Sequence, residues 1–455
     1  MKKLVSLLLV VIMVLSLVAC GSSTAATTDT ATTDTTTDTS ATGKTVLNVW
    51  AFTEEVPGMV TKYMEAHPDV AEKYEVKTTV IATTDGAYQP ALDQALAAGG
   101  ADAPDIYAAE SAFVLKYTQG DASQYAATYA DLGIDVDALV EAGDIAQYTV
   151  DIGTRGSDGV VGLGYQATGG AMIYRASIAE DVWGTSDPDA VAAKVGPGWE
   201  QFFTAAAELK AKGYGIVSGD GDIWHSIENS SSTGWVVDGK LVISPEREAF
   251  LDYSKQLKDN GYTNDTQDWT DAWYADMSGT GAQPIFAFFG PAWLINYVMA
   301  GNAGDTVGDW RVCTPPVGFF WGGTWVLGSA SSENKEVVGD IIEWITLDTS
   351  ETGLQYYWAN GTLNGEGGTK DTVASGVVMS KSDGTLDFLG GQDMFSVFVP
   401  ANQYANGKCL TQYDETINGY WRDQVRAYTA GEKTRDEAIA AFKQMVADNL
   451  DVVVE

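Results

Sequence analysis

Residues 46–52, VLNVWAF, and residues 95–110, ALAAGGADAPDIYAAE, decide the fold. The first is a compact apolar run suited to a strand buried on both faces, and residues 53–57 then lead towards a helix. Between the two stretches, residues 75–81 set valines among Lys and Thr as a second strand, and a helix over 88–98 places Leu92 and Leu96 on one face. The second stretch ends that helix and turns through Gly99 and Pro104 into a short strand at 105–109. Strands alternating with helices predict an α/β protein with a mainly parallel sheet covered on both sides.

The same alternation continues. Residues 159–174 read as two β-like runs joined by a glycine-containing turn, and 199–212 as a helix burying Phe202, Ala206 and Leu209. Asp238-Gly239 sits between two short β runs and predicts a type I′ hairpin, because that turn needs positive φ at both central residues. Pro245 opens a helix to residue 258, residues 284–289 form a strand, and Gly290-Pro291 turns into a helix over 292–299. Residues 322–327 and 334–347 repeat the strand and helix order, and Thr434 with Glu437 makes a capping box for a closing helix. No fixed repeat period appears, which excludes a solenoid or propeller.

The N-terminus reads as an address. Lys2 and Lys3 precede an apolar run over 4–18 broken only by Ser6 and Ser16, and Leu17-Val18-Ala19-Cys20 is followed by Gly21 and Ser22. Those are the parts of an export signal. A retained membrane span would need ~20 apolar residues, and this run is shorter. Residues 21–44 hold no aromatic and no large aliphatic side chain, so they are expected to form a disordered Thr/Asp-rich tether.

Composition narrows the function. With 26 basic and 62 acidic residues the net charge is -36, which excludes nucleic acid as a partner, since that binding depends on Lys and Arg displacing counterions. His67 and His225 are the only histidines, so a transition-metal site is not expected. Beyond Cys20 only Cys313 and Cys409 remain, and their pairing stays open. No P-loop, dinucleotide fingerprint or nucleophile elbow is present, and no cofactor is implied.

Taken together, VLNVWAF, 95–110, GLGYQATGGAMIYR (162–175), WEQFFTAAAELKAKG (199–213), PIFAFFGPAWLINY (284–297) and residues 322–347 resemble the extracellular solute-binding proteins, family 1, of ABC-type carbohydrate importers. The resemblance runs from residue 45 to the closing helices. It implies a periplasmic-binding-protein-like fold: two discontinuous α/β lobes, a ligand cleft between them and a hinge. Lobe one would take residues 45–155 and 316–350, and lobe two 156–315 and 351–455. The leader resembles a lipoprotein signal over 1–20, which implies a diacylglycerol on Cys20 and anchorage outside the cytoplasmic membrane, as on a Gram-positive cell. A monomer that binds a sugar, performs no chemistry and delivers its load to a membrane permease is the implied role.

A sugar ring presents apolar C–H faces and a rim of hydroxyls, so aromatic side chains beside polar groups are the candidates for its site. Trp50 and Phe52 end the first strand, and Tyr107 and Glu110 end another, at the carboxyl edge where open α/β sheets bind ligands. Tyr165 and Gln166 lie on the crossing between lobes, and Asp222 and Trp224 lie in DGDIWH. Trp293 follows Gly290-Pro291, and Trp321, Gly323 and Trp325 surround a double glycine whose backbone could approach a hydroxyl. Two rivals stand beside this reading: a lipid-anchored glycoside hydrolase with paired carboxylates, and the same fold holding a peptide or polyamine.

Overall fold

In the first apolar run, alternate side chains are driven to one face. Leu47, Val49 and Ala51 are all buried, while Asn48 is held inside by Asp105, whose Oδ2 accepts its backbone N–H at 2.9 Å. The computed structural model describes residues 43–83, 86–365 and 367–455, all within one unit, Thr39–Glu455. The leader, Cys20 and the tether up to residue 42 lie outside the described residues. Among those described, no helix is long and apolar enough to cross a membrane.

Nine strands build the two main sheets. They are β1 (Thr45–Ala51), β2 (Tyr74–Val80), β3 (Ile106–Glu110), β4 (Gly162–Gly164) and β5 (Ala171–Arg175), then β6 (Gly215–Val217), β7 (Ile285–Gly290), β8 (Trp310–Cys313) and β9 (Thr324–Gly328). The first sheet has the order β2-β1-β3-β9-β4 and the second β8-β5-β7-β6. The helices that matter below are α1 (Glu55–Ala66), α2 (Tyr88–Ala98), α3 (Trp199–Ala211), α4 (Gly221–Glu228), α5 (Pro245–Asp259), α6 (Lys335–Thr346), α7 (Asp414–Thr429) and α8 (Arg435–Asn449).

Both sheets are covered on both faces. Leu47 and Val49 pack with Met59 and Val60 of α1 and with Val338 and Ile342 of α6, whereas Tyr107 and Ala109 face Leu92 and Leu96 of α2. In the second sheet, Met172 and Tyr174 of β5 share a core with Phe202, Ala206 and Leu209 of α3. The final pair, α7 and α8, is locked by Trp421 and Phe442, whose rings meet edge to face at 4.9 Å. The Thr434–Glu437 capping box is formed.

The sheets are mixed, which corrects the expectation of mainly parallel ones. β1 runs parallel to β2 and β3, but β9 is antiparallel to both β3 and β4, and β5 is antiparallel to β7 and β8. The reason is connectivity. The chain passes directly from β4 in the first sheet to β5 in the second, and returns from β8 to β9, without the helical crossover that a parallel neighbour requires. These two crossings lie side by side, joined by the Gly170 N–H to Phe319 carbonyl bond at 2.8 Å and the Trp321 N–H to Thr168 carbonyl bond at 3.1 Å. A Cβ on Gly170 would stand 2.1 Å from the Phe319 ring, so only glycine lets the crossings approach this closely. β4 lies beyond the residue 155 expected to end lobe one and still pairs in the first sheet.

Local expectations fare well at turns. Asp238 and Gly239 have φ of 50° and 76° between antiparallel Val236–Val237 and Lys240–Leu241. The helix expected over 292–299 instead opens into π-helical turns at Leu294–Met299. Cys313 and Cys409 are both free thiols, and Cys409 donates to the Ser232 carbonyl.

Candidate functional site

A cavity of about 380 Å³ is bounded by the carboxyl end of β3, by the crossing that leads into β9, by α4 and by the start of α7. It thus takes its walls from both sheets' surroundings, at the strand ends where α/β proteins bind ligands.

The aromatic wall comes first. Trp321 is half-buried, and its indole lies flat on the His225 imidazole, with centroids 4.0 Å apart and 18° between planes. Trp293 meets it edge-on at 4.6 Å and donates its indole N–H to the Trp321 carbonyl at 3.0 Å, so Trp293 positions Trp321 from behind. Trp269, 50 % exposed, lies parallel to Trp293 at 6.3 Å and edge-on to Trp321 at 6.0 Å. Gly322, with φ of 77°, is a further requirement: a Cβ there would press on the Trp293 indole at 3.0 Å.

Polar groups line the rest of the cavity. Glu110 closes β3, and its carboxylate accepts the Ala112 N–H at 2.8 Å. Burial pushes the Glu110 carboxyl up to about 7 against that hydrogen bond, and the charges of Glu415 and Glu228 push it further. From α4, Glu228 takes His225 Nδ1 at 2.9 Å on one oxygen and the Asn418 amide on the other. From α7, Asp414, Asn418 and Arg422 recur every four residues and so share one helix face. Arg422 pairs with Asp268; burial alone would raise that carboxyl, but the guanidinium charge and hydrogen bond hold it below its usual value. Burial raises Asp414 to about 6 despite two bonds from Thr411.

Of the residues singled out from the sequence, Glu110, Trp224 and Trp321 line this cavity, and Trp293 backs it. Trp224 is almost wholly buried, with its ring 4.8 Å from that of Phe250 in α5. The others lie elsewhere. Trp50 is half-buried beside Tyr88, whose hydroxyl donates to its carbonyl, and Phe52 packs edge-on to Tyr88 and Phe113. Tyr107 is buried in the core under β3. Tyr165 donates to the Glu55 carboxylate, and Gln166 donates to Asp371 Oδ2 at 3.0 Å. Asp222 is buried where it accepts the Ser218 and Gly219 N–H groups and the Trp273 indole N–H. Gly323 is buried, with its carbonyl taken by the Ser111 N–H, and Trp325 is a core side chain bonded to the Thr149 carbonyl.

Trp269, His225 and the α7 stripe were not singled out from the sequence. The stripe had a signal: Asp414, Asn418 and Arg422 interrupt at helical spacing a helix whose other face carries Ile417, Trp421 and Val425. Among the described residues no group of histidine, cysteine and carboxylate side chains could hold a metal ion.

Two α/β sheets joined by paired crossings, with an aromatic and acidic cavity at their strand ends, define a two-lobed solute-binding protein of periplasmic-binding-protein-like fold. The chain belongs to the bacterial extracellular solute-binding protein family, whose model matches residues 58–375. It is similar in structure to an extracellular solute-binding protein of family 1, at a TM-score of 0.72 and 19% identity over 89% of this chain and 99% of that one. It is also similar to the galacto-N-biose-/lacto-N-biose I-binding protein of the ABC transporter from Bifidobacterium longum, solved with lacto-N-biose (TM-score 0.68, 17% identity, 91% and 99% covered). A third likeness is to the cyclic alpha-maltosyl-1,6-maltose binding protein from Arthrobacter globiformis (TM-score 0.62, 16% identity, 89% and 99% covered). At such identities the likeness speaks for the fold alone. No curated protein matches by sequence.

Proposed function

We propose that this protein captures a carbohydrate, an oligosaccharide by the extent of its aromatic wall, and hands it to the membrane permease of an ABC importer. The observation that carries the reading is the placement of Trp321 and Trp269, with Trp293 behind them, in one cavity that Glu110 and Glu228 also line. Flat indoles suit the C–H faces of a sugar, and carboxylates beside them accept its hydroxyls. The two sugar-binding proteins it is similar to, one of them solved with lacto-N-biose, support the same class of ligand.

A solute touching both walls would favour the closed arrangement by its differential affinity, and the two crossings would be the hinge between lobe one, 45–155 and 316–350 with β4 added, and lobe two, the rest of 156–315 with 351–455. Cys20, carrying lipid, would hold a monomeric receptor at the outer face of the membrane, with residues 21–44 as its tether. No catalysis is part of this role. Its hydrolytic rival would use Glu110, held near neutrality, as a general acid.

A thermal-shift screen against mono- and oligosaccharides tests the reading, since a ligand that binds only the folded state raises its apparent stability. A saccharide that raises the melting temperature and is recovered intact is the expected result. Silence from every saccharide overturns the carbohydrate reading, and recovery of cleaved sugar overturns the binding role.

A further inference from the structure

His225 lines the cavity, and its contacts leave a single ring nitrogen uncommitted. One face of the imidazole lies on the Trp321 indole, 4.0 Å away and within 18° of parallel. Nδ1 stands 2.9 Å from Glu228 Oε2. A carboxylate only accepts, so Nδ1 carries the proton of that bond. Nε2 has no hydrogen-bond partner among the described residues, yet it is not sealed from solvent, on a side chain that is only 13 % exposed.

The ring is held from deep inside the protein. Glu228 takes the Asn418 amide N–H on its other oxygen, and Asn418 Oδ1 accepts the Trp235 indole N–H at 2.6 Å, so the amide cannot turn over without losing both bonds. Trp235 is wholly buried against Trp421 and Phe442. Asn229, at the end of α4, donates to the Phe320 carbonyl at 2.7 Å and so ties the helix to the crossing that carries Trp321. Three bonds in series therefore run from the core to the imidazole and fix both its tautomer and its plane, the support a binding group needs.

We propose that His225 contacts the solute directly: Nε2 hydrogen-bonds one hydroxyl of a sugar seated against Trp321, and so selects which hydroxyl arrangement the cavity accepts. The inference rests on the carbohydrate reading above and narrows it. The lone pair or proton of Nε2 lies in the imidazole plane, which runs nearly parallel to the indole. The hydroxyl it meets thus lies in the same layer above Trp321 as the imidazole itself. A hydroxyl suits this nitrogen in either charge state of the ring, donating to the lone pair or accepting the proton. A solute lacking that hydroxyl would cover Nε2 and leave it unpaired, which costs affinity.

The test is a double-mutant cycle between His225 and the saccharide that thermal shift selects, read by calorimetric titration of the full-length protein. The saccharide and each of its monodeoxy analogues are titrated into the parent, His225→Phe, His225→Asn and His225→Gln. Phe keeps a flat ring on Trp321 without a nitrogen, Asn keeps a donor for Glu228 without anything at Nε2, and Gln sets an amide at the reach of Nε2. The expected result is that one deoxy analogue binds the parent about fivefold more weakly, the scale of one hydrogen bond. His225→Phe and His225→Asn should bind that analogue and the intact saccharide alike, and His225→Gln should recover part of the difference. If His225→Phe fails to fold, His225→Asn decides by the same criterion. A variant without Nε2 that binds the saccharide as tightly as the parent, or that loses affinity equally for every analogue, overturns the contact and leaves the carbohydrate reading standing. Silence from every saccharide overturns both readings.

Discussion

Replacing Trp321 by Ala removes the ring that faces the cavity while keeping the backbone that holds it. The Trp293 indole N–H bonds the Trp321 carbonyl, not its side chain, and the Trp321 N–H bonds the Thr168 carbonyl, so both anchors of the crossing survive. What is lost is the indole face against His225, the edge contacts with Trp293 and Trp269, and the surface offered to the solute. A buried tryptophan cut to alanine costs ~3–5 kcal/mol, and because Trp321 is only half-buried its share of folding stability is about 2 kcal/mol. Truncating a central tryptophan of a binding site costs on the order of 2 kcal/mol of affinity. That is roughly a 30-fold rise in Kd. Calorimetric titration with the saccharide found by thermal shift reads the affinity, and a melt of the unliganded variant reads the stability. Trp183→Ala is the control, because that indole packs edge-on to Phe286 and bonds Glu208 away from the cavity, so its affinity should equal the parent's. Trp321→Phe should recover much of the binding. If Trp321→Ala melts lower but binds the saccharide as tightly as the parent, the platform is misplaced and the aromatic argument fails.

Stability should fall as pH rises from about 5 to about 8. Glu110, Asp222 and Asp371 are each pushed by burial up to about 7, so each binds its proton more tightly folded than unfolded; their contribution is complete below the unfolded values and is lost through 7. Asp268 is shifted downward and changes only at more acidic pH. Melting temperatures across that range check the sign, Glu110→Gln should flatten the slope, and a rising curve refutes it. Gly239→Ala should cost about 1 kcal/mol, purely from forcing a side chain to φ of 76°, because a Cβ there meets nothing within 4 Å; denaturant melts read it. Thr434→Ala should also cost about 1 kcal/mol, since it opens a capping box in which both reciprocal bonds are present.

Much of the architecture was legible because it is written in local, periodic signals. The helix over 88–98 and the Asp238-Gly239 turn need only their own residues, since Leu92 and Leu96 point to one face and positive φ falls to Asp and Gly. The direction of β9 was not legible, because nothing in Thr324–Gly328 records whether its neighbour β3 is reached by a helix or by a crossing from the other sheet. Aromatic residues were the poorest guide at the site. Trp321 and Trp325 stand four residues apart with similar apolar surroundings, yet one lines the cavity and the other is wholly buried against Thr149. The pleat explains the difference: Trp325 lies inside β9, whereas Trp321 precedes the two positive-φ glycines that turn the chain into it.

Trp269 shows why part of a site escapes any local reading. A tryptophan at φ of 66° in the left-handed region works against its own propensity, and a half-exposed ring gains little burial to offset that cost. Such a conformation persists only where its surroundings over-determine it. Here they do: the neighbouring Asp268 is tied to Arg422 on α7, and the ring rests against Trp273, Trp293 and Trp321. The partners come from residues 273 to 422, so the signal that places Trp269 at the cavity is spread over about 150 residues and four segments, and no window of sequence contains it. The same Arg422 that holds Trp269 in place also shares the α7 face with Asp414.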